Sequence, residues 1–187
     1  MTDKLKLFES IGCCGINCSL CPRFHTIGNS ACPGCGGLRF KDKHPSCGFL
    51  TCCAIKNGFE VCSFCNDYPC KRFDAEKSGY DSFVTHINVF SNLDFIKQNG
   101  ISQFIDQQKI RTEILTDFIT NYDDGRSKSF FCLSCALLPL ENLNDIQRIA
   151  NDFNDSSNLK DKNKRLKEIL LETADGLKID LKLRNKK

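Results

Sequence analysis

Residues 32–36 read Cys32-Pro33-Gly34-Cys35-Gly36, and this stretch sets the expectation for the fold. Two thiolates spaced by two residues can grip one tetrahedral ion, and glycine lets the backbone turn behind the second sulfur. A similar hook, Cys18-x2-Cys21, lies upstream. Paired C-x2-C hooks separated by a loop are typical of zinc sites, although this loop is shorter than the usual one. The stretch therefore predicts a segment held together by metal.

The cysteine content agrees with this interpretation. The chain has 187 residues and 14 cysteines, twelve of them between Cys13 and Cys70. The N-terminal sequence lacks the apolar core and cleavage site of a secretory signal, and no apolar run approaches the length of a membrane span. We therefore expect a cytoplasmic protein without a membrane partner. In that compartment dense cysteine indicates metal thiolates rather than disulfides.

More cysteine follows the first two hooks. Cys62-x2-Cys65 is a third hook, and Cys52 and Cys53 are adjacent, so one ion is not expected to bind both with relaxed geometry. His25 and His44 fall inside the cysteine-rich region and could complete a site. The predicted metal ligands are Cys14, Cys18, Cys21, Cys32, Cys35, Cys47, Cys53, Cys62, Cys65 and Cys70, with Cys52, His25 and His44 as further candidates.

The expected cofactor is zinc, in two to three ions. One hypothesis divides the thiolates between ions by their order in the chain, and it leaves Cys14 and Cys70 for a third site with a histidine. Two zinc ions bound by eight thiolates would change the formal charge of +3 by −4, to about −1. The sequence charge therefore gives no argument for nucleic acid. In the hypothesis that divides the thiolates by chain order, one ion is bound by Cys18, Cys21, Cys32 and Cys35, and another by Cys47, Cys53, Cys62 and Cys65.

The hydrophobic pattern changes near residue 81. Residues 1–80 show no sustained period, whereas residues 81–187 show apolar residues at helical spacing. We predict an α+β protein with an irregular, zinc-knuckle module at 1–80 and a helical module at 81–187. Residues 4–8 and 177–184 both alternate apolar and charged residues, which predicts a short terminal β pairing. Phe83, Ile87 and Phe90 repeat at helical spacing and predict a first helix that ends at Asn99-Gly100. Further helices are predicted from Ile101 to about Tyr122, from Ser129 to Leu138, around residues 146–153 and around residues 166–177.

The sequence resembles a family of small cysteine-rich bacterial and archaeal proteins, catalogued as a domain of unknown function and described as zinc-binding-like. The resemblance implies a metal-binding fold and no reaction. Its single cysteine before Ala-Ile-Lys favours Cys53 over Cys52, and Cys13, Cys132 and Cys135 look like additions to its pattern. It rests on Cys14-Gly-Ile-Asn-Cys18-Ser-Leu-Cys21-Pro22, Cys32-Pro-Gly-Cys35-Gly-Gly37, His44-Pro-Ser-Cys47, Cys53-Ala-Ile-Lys-Asn-Gly58, Cys62-Ser-Phe-Cys65-Asn-Asp-Tyr-Pro-Cys70, Gly125-Arg-Ser-Lys-Ser-Phe-Phe131 and Leu137-Leu-Pro-Leu140.

Other readings of the cysteines stay open. Thiolates also hold iron–sulfur clusters, and Cys14-x3-Cys18-x2-Cys21 has the spacing used by radical S-adenosylmethionine enzymes. The chain lacks the alternating strands and helices of those enzymes, so we favour zinc. A thiol redox sensor that releases zinc is a further alternative.

The remaining charged and cysteine motifs have simple structural interpretations. Cys132 and Cys135 are expected to be buried on one helix face, and Asp123-Asp124 to cap a turn. The basic run at 160–167 is expected to be a solvated helix face, with nucleic acid as the less favoured partner. No phosphate loop, dinucleotide fingerprint or nucleophile–base pair is found, so no catalytic residue is assigned. We expect a structural zinc-binding protein that acts as a binding or scaffolding module, with an unidentified protein as its partner.

Overall fold

The computed structural model describes residues 4–74, 79–153 and 158–185. Within these ranges the protein is all-helical, and no strand or sheet is formed beyond an isolated antiparallel bridge between Ile11 and Asn17. The predicted α+β class is therefore wrong. In the same ranges no helix combines the length and apolar character needed to cross a membrane.

The predicted terminal β pairing fails because both segments bind elsewhere. The Leu5 N–H donates to the Gly36 carbonyl oxygen over 2.7 Å, which places the first segment against the cysteine knuckle. Near the other end, Arg184 binds Asp81. Alternating lysine and leucine suits any half-buried extended segment, so the pattern alone does not require a sheet.

The chain divides into two compact units. The first comprises Met1–Gln108 with Leu183–Lys187, and the second comprises Lys109–Lys182. The first unit contains all twelve cysteines of the region between residues 13 and 70.

Most of the first unit is made of short helical turns. Its buried residues form two clusters, and one of these consists largely of cysteine: Cys13, Cys35 and Cys53 pack with Phe40 and Leu50. Turns this short bury little surface individually, so thiols form much of the interior here. The turns are 3₁₀ turns at Cys18–Leu20, Cys62–Phe64 and Lys71–Phe73, the helices α1 (Phe40–Lys43) and α2 (Gly48–Leu50), and a π-helical turn at Thr51–Lys56 that follows α2.

The second buried cluster of this unit is apolar and includes residues of two longer helices, α3 (Val89–Asn99) and α4 (Ile101–Tyr122). The predicted bounds of α4 are confirmed, and so is the end of α3 at Gly100, where φ is 87°. The start of α3 was expected earlier, because Phe83 and Ile87 fit its period, but both lie before the helix. The cluster contains Ile11, Cys14, Val61, Phe73, Val89, Leu93, Ile96 and Phe104.

The second unit contains the helices α5 (Lys128–Leu137), α6 (Leu140–Asn151) and α7 (Leu159–Gly176), close to the predicted positions. Phe118 of α4 packs against Phe131 of α5 with ring centroids 5.9 Å apart. The Arg111 guanidinium donates to the carbonyl oxygens of Cys135 and Leu138, each over 2.7 Å. A cation at these carbonyls complements the negative end of the α5 dipole.

Candidate metal centre

A cavity of about 350 Å³ in the first unit collects six of the predicted ligands. His44 also lies on its wall, and the rest of the lining is mainly apolar, including Phe40 and Phe49. The six cysteines come from three separate stretches of the chain, at residues 14–21, 32–35 and 47, so only the folded chain brings them together. They are Cys14, Cys18, Cys21, Cys32, Cys35 and Cys47.

A second, much smaller cavity of about 30 Å³ is lined by the later cysteines. The hypothesis that divided thiolates by chain order placed Cys47 with this later group. The structure places Cys47 on the wall of the larger cavity instead, together with the cysteines of residues 14–35. The later group consists of Cys52, Cys53, Cys62, Cys65 and Cys70.

Two C-x2-C hooks have the same backbone geometry. Cys18 and Cys62 each begin a 3₁₀ turn, and the cysteine three residues later, Cys21 or Cys65, has an extended backbone. The N–H of that cysteine donates to the carbonyl oxygen of the first, over 3.1 Å at Cys21 and 3.0 Å at Cys65. The local sequence thus gives the two hooks the same backbone conformation.

The knuckle at residues 32–36 depends on glycine. Gly34 has a φ of 82°, and a Cβ at this position would lie 2.3 Å from the Glu9 carbonyl oxygen. The same carbonyl oxygen accepts a hydrogen bond from the Cys35 N–H over 2.9 Å. This close approach fixes Cys35 against the N-terminal segment. Gly36, the glycine expected to let the backbone turn behind Cys35, has a φ of 69°.

Burial is the main cause of the raised pKa of three thiols at the larger cavity. Desolvation raises the pKa of Cys14, Cys18 and Cys21 above the usual range. Nearby thiols at Cys18, Cys35 and Cys47 also raise the pKa of Cys14. Once one of these closely spaced thiols is ionised, its negative charge makes the next harder to ionise, and a cation that binds them has to displace their protons.

Cys13, which the sequence interpretation left outside the ligand set, lies between the two groups. Its side chain is 1% exposed, and its Sγ lies 4.0 Å from Cys35 Sγ. Cys13 also makes a thiol contact with Cys53, which in turn contacts Cys62. The spacing of cysteines along the sequence does not reveal this position of Cys13, because the position depends on loops that meet only in the folded unit.

The histidines differ in their suitability as ligands. His44 lines the larger cavity, where its ring stacks on Phe40 with centroids 4.5 Å apart. His25 does not line that cavity, and its Nε2 lies 2.6 Å from the Ser19 carbonyl oxygen. His86, which the sequence interpretation did not select, lines the cavity and has its Nε2 3.0 Å from Ser82 Oγ.

The second unit contains the other motifs. Cys132 and Cys135 are buried on α5, as expected for small apolar side chains, and burial raises the pKa of Cys135 to about 12. The predicted cap is confirmed at Asp123, whose Oδ1 accepts hydrogen bonds from the N–H groups of Gly125 and Ser127 over 3.0 and 2.8 Å.

The chemistry of the donor set fits a thiophilic metal. The 14 cysteines are free thiols. In the described ranges, no three Cys, His, Asp or Glu side chains already have the geometry to hold an ion. The Cys13–Cys35 separation is nevertheless close to the ~3.8 Å between sulfur atoms of a tetrahedral zinc site with Zn–S bonds of about 2.3 Å. Small side-chain movements would therefore suffice at this pair.

Comparisons with protein-family models, curated proteins and solved structures each find no match to this chain. The resemblance to the cysteine-rich family therefore stays a prediction.

Proposed function

We propose that the first unit is a structural zinc-binding module and that the protein acts as a binding or scaffolding module for a protein partner. The observation that carries the proposal is the sorting of eleven cysteines of one unit onto the walls of two cavities, six in one and five in the other. Each group has enough thiolates to close a four-coordinate sphere, which is the mark of a structural rather than a catalytic zinc site.

The construction of the unit supports a structural role for the metal. Its turns at residues 18–64 are three to six residues long, and one of its two buried clusters consists largely of cysteine. Zinc in a small finger contributes about 10–16 kcal/mol of apparent binding free energy, enough to order such a segment. Redox sensing is less well supported, because burial raises the pKa of Cys14, Cys18 and Cys21 and so lowers thiolate reactivity in the metal-free state.

Contacts of the basic run on α7 weaken the case for nucleic acid as the partner. Arg165 lies over the Phe153 ring at 4.4 Å, and Lys167 lies over the Phe130 ring at 5.5 Å. These cations are engaged within their own unit, which weakens their use as phosphate contacts. A nucleic-acid probe whose tight binding is lost at high salt and in a Lys160→Ala/Lys164→Ala variant would contradict this choice.

The larger cavity favours one alternative, an iron–sulfur protein. Its volume of about 350 Å³ exceeds what a single ion requires, and all three cysteines of the C-x3-C-x2-C run lie on its wall. A polynuclear cluster would use such a volume, and the protein would then serve in electron transfer or catalysis.

Anaerobic purification followed by elemental analysis and an absorbance spectrum tests both candidates. We expect a colourless protein with two zinc ions. The Cys32→Ser variant should lose zinc and order in the first unit, whereas Cys132→Ala, which alters a cysteine of the second unit, should keep both ions. Unchanged zinc in Cys32→Ser would count against the structural module, and a brown protein containing iron and sulfide would establish the iron–sulfur alternative.

A further inference from the structure

We propose that Cys13, Cys35, Cys53 and Cys62 bind one zinc ion as a tetrathiolate, and that Lys6 compensates the negative charge of that centre. The inference rests on the proposed zinc-binding function and assigns a ligand set that neither the sequence spacing nor the family resemblance contains. It replaces the assignment of one ion to each cavity, because it takes Cys35 from the larger cavity and Cys53 and Cys62 from the smaller one. The second ion would then be bound by four of the five cysteines that remain on the wall of the larger cavity.

The geometry starts from the thiol at Cys13. Cys13 and Cys35 have their Sγ atoms 4.0 Å apart, and both belong to the buried cluster that also contains Cys53. Cys62 packs against the same cluster and makes a thiol contact with Cys53. The four thiols thus form a continuous series, in which the outer members, Cys35 and Cys62, begin or end a C-x2-C hook.

Backbone hydrogen bonds hold these loops together. The Cys62 N–H donates to the Cys13 carbonyl oxygen over 2.8 Å, and the Cys35 N–H donates to the Glu9 carbonyl oxygen over 2.9 Å. The Phe59 N–H donates to the Cys53 carbonyl oxygen over 3.0 Å. The loops are therefore held by backbone contacts, and binding an ion would require the thiol side chains to rotate toward one another.

An independent observation is a buried cation beside these thiols. Lys6 is 4% exposed, and its Nζ donates a hydrogen bond to the Ile11 carbonyl oxygen over 2.7 Å. Among the described residues, no carboxylate pairs with this ammonium group. A buried ammonium paired with a neutral carbonyl alone is costly, and it calls for a nearby negative charge.

The four cysteine thiols are the source of that charge. Lys6 lies beside two of them, because its stem packs against Gly36, which follows Cys35, and its Nζ binds the carbonyl oxygen of Ile11, two residues before Cys13. Four thiolates around a divalent ion carry a net charge of −2. Lys6 would offset part of that charge, and zinc would keep the thiolates ionised, so cation and centre stabilise each other.

The position of Lys6 is built into the fold. A Cβ at Gly36 would lie 3.0 Å from Lys6 Cγ, so the knuckle glycine leaves room for the lysine stem. The segment around Lys6 is anchored on both sides, because Leu5 N–H donates to Gly36 O over 2.7 Å and Leu7 N–H donates to Glu60 Oε1 over 2.7 Å. The segment therefore joins the Cys35 knuckle to the residues that precede Cys62.

Metal content and the visible spectrum of the cobalt-substituted full chain test the assignment. We expect Cys13→Ser to lose one of two zinc ions, or to keep it with a cobalt spectrum shifted from all-sulfur toward mixed ligation, while Cys132→Ala retains both ions and an unchanged spectrum. Two zinc ions with an unchanged cobalt spectrum in Cys13→Ser would overturn the assignment. A wild-type protein without zinc would instead contradict the proposed function itself.

Lys6→Met supplies the second measurement, because it keeps every thiol and removes only the charge. We expect its zinc affinity, measured by competition with a chromophoric chelator, to fall about tenfold, as for other groups that act on a metal through its ligands. Zinc release should also move to higher pH, and Lys6→Arg should restore both properties. If Cys13→Ser does not fold, an affinity and release pH in Lys6→Met equal to wild type would still overturn the proposal.

Discussion

Arg184 Nη2 donates a hydrogen bond to Asp81 Oδ1 over 2.7 Å, which ties the C-terminal segment to the residues before α3. The backbones take part as well, because Arg184 N–H donates to Asp81 Oδ2 over 2.8 Å and Asp81 N–H donates to the Arg184 carbonyl oxygen over 2.9 Å. The Asp81 side chain is fully buried and also accepts from the His86 N–H over 2.7 Å. Asp81 therefore shapes the segment that carries Phe83 and His86 to the wall of the larger cavity.

Removing the arginine should loosen this segment. Arg184→Ala leaves the buried Asp81 carboxylate without its guanidinium, and we expect a loss of about 2 kcal/mol in the free energy of unfolding, since hydrogen bonds to charged groups contribute about 1.5–3 kcal/mol. Urea unfolding measures this loss, and hydrogen exchange should quicken at residues 81–86. The exposed neighbour Lys182 provides the control, because Lys182→Ala should change little; equal stability of the two variants would contradict the role given to Arg184.

The same pair predicts a pH dependence. Burial by itself raises the pKa of Asp81, but hydrogen bonds from Arg184 and from the N–H groups of His86 and Arg184 outweigh it and lower the pKa below its usual 3.8. A carboxyl group with a lowered folded-state pKa stabilises the fold above the unfolded-state value, and it loses that contribution as the pH falls through the folded-state value. The stability advantage of wild type over Asp81→Asn should be full at pH 6 and shrink below about pH 4. Asp180→Asn, at an exposed position, is the control, and an advantage independent of pH would contradict this origin.

Sequence reasoning succeeded where the decisive interactions are local. The bounds of α4 follow from its period and from the turn residues around it, and the hooks at Cys18 and Cys62 follow from a spacing of two residues. The assignment of thiols to groups could not be read in this way, because Cys47 joins the larger cavity through the tertiary fold. Lys6 carried no signal either, since its alternation with leucine is equally typical of a strand.

A buried asparagine should be important for the second unit. Asn163 is 4% exposed, its Nδ2 donates to the Tyr122 carbonyl oxygen over 2.7 Å, and its Oδ1 accepts from Ser127 Oγ over 3.2 Å. Asn163→Ala leaves both partners without this contact, and we expect a loss of ~1–3 kcal/mol in thermal or urea unfolding. Lys164→Ala, one residue further along α7 and highly exposed, should change stability by less than about 0.5 kcal/mol. Similar losses in the two variants would show that the Asn163 hydrogen bonds do not stabilise the unit.

The knuckle offers a matched pair of glycines. Gly34 and Gly28 both have positive φ, 82° and 93°, but a Cβ would lie 2.3 Å from Glu9 O at Gly34 and would meet nothing within 4 Å at Gly28. Substitution by alanine at either position costs ~1–2 kcal/mol for the left-handed backbone. Gly34→Ala should cost a further ~1–3 kcal/mol, because its methyl group overlaps backbone. Denaturant unfolding of the full chain compares the two variants, and equal losses would mean that the close approach of Gly34 to Glu9 can relax freely.

Zinc removal should affect the two units differently. In the metal-free state the contact with Cys35 lowers the pKa of Cys13, while the contact with Cys53 and burial raise it to about 12. Cys53 also has a raised pKa of about 12, because its contact with Cys62 and burial outweigh the lowering contact with Cys13. Protons therefore compete strongly with the metal, and acidification or a chelator should release zinc with uptake of protons. Because the proposed zinc ions would order the short turns around these thiols, hydrogen exchange after chelation should quicken throughout residues 11–70 and stay slow in α5–α7. If residues 11–70 stay protected from hydrogen exchange after chelation, their apolar clusters suffice to hold the turns. That result would contradict a structural role for the metal.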